Sequence, residues 1–109
     1  MIQVTVYVNS QKQTVGFHTY GHAEYAEAGF DIICSAVSAI VLTTVNSIDA
    51  LTNDSFTCQQ NQKTGEITVR FETAPGHDAD LLMQSMLIGL KGISNEYGTK
   101  YLKVNTKEV

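Results

Sequence analysis

The apolar pattern of this chain changes period along its length, and that restricts what it can fold into. Ile2, Val4, Val6 and Val8 alternate with Gln3, Thr5, Tyr7 and Asn9, the two-residue repeat of a strand with one buried face. From Asp31 the spacing lengthens. Ile33, Val37, Ile40, Thr44 (or Val41), Val45 and Ile48 follow a helical repeat, with Asp31 placed as the N-cap. The other side of this helix is also apolar or small, through Ala36, Ala39 and Leu42, so it is expected to be buried on most sides, between layers or at a subunit contact.

The remaining elements fall between these two signals. Polar Asn9 to Gln13 makes a turn, and Thr14 to Tyr20 is the hairpin partner of the first strand, with Val15 and Phe17 facing in. Ser55 to Gln60 and Glu66 to Glu72 form a second hairpin. Pro75-Gly76 breaks the chain before a helix that starts at Asp78. Its apolar stripe is Leu82, Met86, Leu90, Ile93 and Tyr97, and Gly98 is its C-terminal cap. Lys100 to Asn105 is a last strand. Residues 21–30 fit neither period and are read as a loop, although AEYAEA alone is helix-compatible. The order β-β-α-β-β-α-β gives an α+β fold, a mixed sheet carrying two helices, as one domain over residues 1–109.

Charge and cysteine usage exclude several function classes. A net charge of −4 with no basic stripe argues against a nucleic-acid surface. Two cysteines, Cys34 and Cys58, are too few for a secreted disulfide scaffold, and MIQVTVYV alternates where a signal peptide would carry a basic start and an apolar block. The longest apolar-leaning run, Ile32 to Val45, is shorter than a membrane span and contains Ser and Thr. The expectation is a cytoplasmic protein with reduced thiols, no membrane partner and no cofactor. Cys58 alternates with Phe56 and reads as buried core.

The chemistry-bearing residues concentrate in GHAEYAEAGFDIICSAVSAI, residues 21–40. With Asp31 as N-cap, Cys34 falls in the first helical turn, where the positive end of the dipole and unpaired backbone N–H groups favour a thiolate. The Asp31 carboxylate opposes this unless it is spent on capping or on orienting a histidine. His22 closes the second strand, and a loop of this length can fold back to bring it to Cys34. A Cys–His pair is the minimum for nucleophilic acyl transfer, with N–H groups at the helix start as an oxyanion hole. Gly21 and Gly29 bracket the intervening segment as hinges of a gating loop, and Tyr20 and Tyr25 flank it, as groove walls or as solvent-facing rings. In the inert alternative, Cys34 is a packed thiol and His22 a solvated loop residue.

A metal is the rival chemistry, and the spacing disfavours it. His18 and His22 on one strand lie about 13 Å apart, too far to share a zinc held by bonds of about 2 Å. No CxxC or HExxH motif is present, and His77 stands alone.

These residues together resemble a known family. Gly21-His22-Ala23, Gly29 and Asp31-Ile32-Ile33-Cys34-Ser35-Ala36-Val37-Ser38 are similar to the signature of the ribosomal-processing cysteine protease Prp family, GHA, a short loop and then GxDIVCAAVS, with Ile33 for Val and Ser35 for Ala. Met86 to Leu90 and Glu96-Tyr97 are similar to that family's second helix. The resemblance implies a cysteine endopeptidase that removes the N-terminal extension of the twenty-seventh large-subunit ribosomal protein, cutting after an aromatic residue in a hydrophobic-then-basic motif. It also implies a bacterial homodimer in which Cys34 is the nucleophile, His22 the base, and Asp31 and Ser38 supporting residues. The non-enzymatic alternative is a dimeric, ribosome-associated interaction module with Cys34 buried at the dimer contact.

Overall fold

A computed structural model describes residues 1–21, 28–61 and 63–109, without the side chains of 28–31. In chain order the elements are β1 (Ile2–Val8), β2 (Thr14–Tyr20), α1 (Ala28–Leu51), β3 (Phe56–Asn61), β4 (Glu66–Phe71), α2 (His77–Tyr97) and β5 (Leu102–Glu108). The five strands form one sheet in the order β3-β4-β2-β1-β5. All neighbours are antiparallel except β1 and β5, which run parallel. The expected α+β order and mixed sheet are therefore present.

The alternation in β1 decides which face is covered. Ile2, Val4 and Val6 are buried, and the register sets Val4 opposite Thr19, Val6 opposite Phe17 and Ile2 opposite Leu102. Phe17 in turn faces Val69 of β4. Onto this face pack Ile33, Val37, Val41, Val45 and Ile48 of α1 and Ala79, Met83, Met86, Leu87 and Leu90 of α2 in one cluster. Each such Val, Ile, Leu or Met side chain contributes about 1.5–3 kcal/mol when fully buried. The opposite face carries Thr5, His18, Thr68 and Gln59 in a row across four strands.

Local chemistry accounts for the turns. Asn9 Oδ1 accepts hydrogen bonds from the backbone N–H groups of Gln11 and Gln13, both at 3.0 Å, which closes the β1–β2 turn. Gly98, at φ +104°, caps α2 and donates its N–H to the Ser94 carbonyl at 2.8 Å. Val15 is only half-buried, because the register shifts after Tyr7 and the extra residue turns Thr14 inward instead.

Several expected boundaries and faces are corrected. Helix α1 begins at Ala28, so Asp31 lies inside it and is not its N-cap, and Gly29 is its second residue. Ala is the best helix former, and a helix of 24 residues packed along its length tolerates one early glycine. The buried stripe of α1 runs through Val41, while Ile40 is half-buried and faces Gly89 of α2. Nor is α1 covered on most sides. Ser35, Ser38, Ala39 and Thr43 are exposed, and Ile32 and Leu51 are 65% and 71% exposed. The stripe of α2 likewise runs through Ala79, Met83, Leu87 and Ser94 besides Met86 and Leu90, leaving Tyr97 exposed.

The segment Ile32–Leu51 is, by length and composition, apolar enough to cross a membrane, contrary to the shorter run expected. Its buried stripe is spent on the sheet. Strand β5 reaches Glu108 because it pairs with β1 along its whole length, from Ile2–Leu102 to Val8–Glu108. Its polar residues gave no alternation to mark that end.

Candidate functional site

One groove of about 500 Å³ opens between α1 and the end of the sheet. Helix α1 contributes Cys34, Ser38 and Leu42, which the i, i+4, i+8 spacing stacks on one side of the helix. Val37 and Val41 form its apolar floor together with Ile2 of β1 and Ile67 of β4. Thr19 and Gly21 come from the end of β2, and Gln60, Asn61, Gly65 and Glu66 form a wall at the end of the β3–β4 hairpin.

Cys34 is half-buried in this groove, packed against the core on one side, and its thiol is free. Cys58 is also free and only half-buried on β3, so it is a partner of the core more than a member of it. Ser38 is exposed one turn beyond Cys34 and lines the same groove. Ser35 lines it as well.

Cys34 does not lie in the first turn of its helix. Cys34 is the seventh residue of α1. Only the first four N–H groups of a helix lack internal partners, and the dipole effect fades within the first turn. Whatever favours a thiolate here, and whatever stabilises an oxyanion, does not come from unpaired groups at the helix start. Asp31 stands three residues before Cys34 inside α1.

His22 and Tyr25, and most of the expected gating loop, lie outside the described residues. The residue before His22 is well defined. Gly21 lines the groove, at φ +112°, so the chain leads into His22 from the groove wall. A β-carbon on Gly21 would collide with the Met1 carbonyl oxygen. Gly21 is thus fixed by strand packing as well as by its dihedral, and replacing it would disturb β1 besides any hinge. Tyr20 is 51% exposed.

The hairpin wall is the part of the site that the sequence reading missed. On the sheet face away from α1, Glu66 Oε2 lies 2.6 Å from Nε2 of His18 on β2, and the His18 ring stacks on Tyr20 with centroids 6.3 Å apart. No sequence spacing signals this pair, because the two residues meet only when β4 is laid beside β2. Among the described residues no cluster of three or more His, Cys, Asp or Glu side chains could hold a metal.

Comparison with known proteins adds a second line of observation. The family model described as cysteine protease Prp matches residues 1–103. The ribosomal processing cysteine protease Prp of Staphylococcus aureus is 31% identical over 107 residues, covering 98% of this chain and 100% of its own. A crystal structure of an essential ribosomal processing protease Prp from S. aureus in complex with a substrate peptide is similar at a TM-score of 0.90 and 30% identity, covering 98% of this chain and 100% of that one. A second, with a covalently linked product peptide, is similar at 0.88 and 31%, with the same coverage.

Proposed function

This chain belongs to the cysteine protease Prp family, and on that footing we propose that it removes the N-terminal extension of the twenty-seventh large-subunit ribosomal protein, with Cys34 as nucleophile and His22 as general base. The observation that carries the assignment is the position of Cys34: a free, half-buried thiol in the wall of a groove of about 500 Å³ that is also lined by Gly21, the residue before His22 in the sequence. A non-enzymatic module would have no use for a family relationship to proteases, and that alternative is set aside.

The chemistry follows from the two side chains. The imidazole of His22 takes the thiol proton of Cys34, and Sγ attacks the carbonyl carbon of the scissile bond to form a tetrahedral oxyanion. Collapse breaks the C–N bond, the leaving amine takes the proton from His22, and the N-terminal fragment stays on Sγ as a thioester. Water, deprotonated by His22, then attacks the thioester carbon, and the peptide acid leaves as Sγ recovers its proton. Asp31 and Ser38 are assigned supporting roles, at one helical turn before and after Cys34.

The same reading takes the enzyme as a cytoplasmic homodimer. It is supported by the small and apolar residues that α1 and α2 leave uncovered in the single chain, including Ile32, Ala39, Leu81 and Ile88. Unbridged cysteines fit a reducing compartment.

The test is mass spectrometry of a synthetic peptide spanning the extension, incubated with the wild-type chain or with Cys34→Ala. One cut with wild type and none with the variant supports the reading. An uncut peptide in both samples, repeated with the full-length ribosomal protein, sinks it.

A further inference from the structure

Among the described residues the buried polar side chains are Thr14, Thr19, Thr44 and Ser94. Three of them are paired. Thr14 accepts a hydrogen bond from the Gln84 amide at 3.4 Å, Thr44 donates to the Ile40 carbonyl at 2.8 Å, and Ser94 donates to the Leu102 carbonyl at 2.7 Å. Thr19, only 4% exposed, has no partner for its hydroxyl among the described residues, and it is the one of the four that lines the groove. We propose, resting on the reading of this groove as the peptide site, that Thr19 is a substrate-positioning residue whose hydroxyl hydrogen-bonds the main chain of the bound peptide.

Three observations support it. The first is direction. Thr19 pairs with buried Val4 on one side and with Ile67 on the other, and it follows buried Phe17 by two residues. Its side chain therefore stands on the sheet face that carries α1, the helix that brings Cys34 to the groove.

The second is cost. A buried hydroxyl without a partner is unfavourable, and folded proteins almost always supply one. The apolar floor around Thr19, made by Ile2, Val37, Val41 and Ile67, carries no side-chain donor or acceptor. The hydroxyl takes its partner from what enters the groove, water in the free protein and peptide in the complex.

The third is position. Thr19 precedes Gly21 by two residues and His22 by three, and Gly21 lines the groove with Cys34. A contact at Thr19 holds the peptide beside the segment that carries the base. Each peptide residue except proline offers an N–H and a C=O, and a hydroxyl pairs with either. Such a bond, made over an apolar floor, is stronger than the same bond in water.

Thr19→Val keeps the β-branched shape and removes the hydroxyl. No intramolecular hydrogen bond is lost in the free protein, so its urea midpoint should equal or exceed that of wild type. Calorimetry then uses the Cys34→Ala chain, which would hold peptide without cutting it, with Thr19 intact, Thr19→Val or Thr19→Ser. The probe is a synthetic peptide spanning the extension, compared with versions in which each amide is singly changed to an ester, removing the N–H and weakening the carbonyl as an acceptor. Thr19→Val should weaken binding by roughly fivefold, and Thr19→Ser should restore most of it. At one ester position the two changes together should cost no more than either alone. A lowered midpoint in Thr19→Val, an unchanged Kd, or losses that multiply at every ester position overturns the role of Thr19 and leaves the groove reading intact. Absence of any peptide binding by Cys34→Ala, together with no cleavage by wild type, overturns both.

Discussion

Gly21 lies against the carbonyl of Met1 so closely that a β-carbon would overlap it, and its φ of +112° is one that side-chain-bearing residues rarely adopt. The start of β1, the end of β2 and the chain leading to His22 are therefore packed together at one side of the groove. A Gly21→Ala change should destabilise the fold by at least about 2 kcal/mol, read as a lower urea midpoint. Lost activity in that variant would report this distortion along with any effect on loop motion. An unchanged midpoint would show that Met1 yields freely.

The two cysteines should differ in reactivity. Cys34 lines the groove, whereas Cys58 sits on an edge strand against the core. Iodoacetamide followed by peptide mapping should label Cys34 at least about tenfold faster at neutral pH, and His22→Ala should slow that labelling. Equal rates at both sites, insensitive to His22→Ala, would count against an activated nucleophile.

Ser94 ties α2 to the last strand. Its buried hydroxyl donates to the Leu102 carbonyl at 2.7 Å, just where β5 starts. Ser94→Ala should cost about 1–2 kcal/mol in chemical denaturation, while leaving Cys34-dependent cleavage in place, since neither residue lines the groove.

Phe17 is fully buried between Val6 and Val69. Phe17→Ala should cost about 3–5 kcal/mol, a large share of the roughly 5–15 kcal/mol that holds a domain of this size together. A loss below about 1 kcal/mol would mean that the sheet face collapses around the gap.

Association should depend on the uncovered helix faces. Ile88 and Ile32 are 74% and 65% exposed. Ile88→Lys or Ile32→Lys should shift the mass in sedimentation equilibrium from dimer toward monomer. A wild-type chain that sediments as a monomer at working concentration would remove the dimer from the proposed function.

The sequence by itself determined the element order, the buried face of β1, the glycine cap of α2 and the signature that joins His22 to Cys34. Each of these is a local property: a period, a cap, or a fixed spacing along the chain. The tertiary structure decided the rest. Residues 21–30 were ambiguous because helix-compatible and loop-compatible readings differ little in local free energy, and the packing of a long helix settled the start of α1 at Ala28. That start moved Cys34 out of the first turn and removed Asp31 as a cap. The side of α2 that is buried was likewise set by α1 and the sheet, since its sequence offers apolar residues on more than one face. The hairpin wall and the His18–Glu66 pair arise only from the strand order β3-β4-β2, which joins residues 48 positions apart. Contacts between strands distant in sequence leave no periodic trace, so only the folded sheet reveals which hairpin residues line the groove with the thiol.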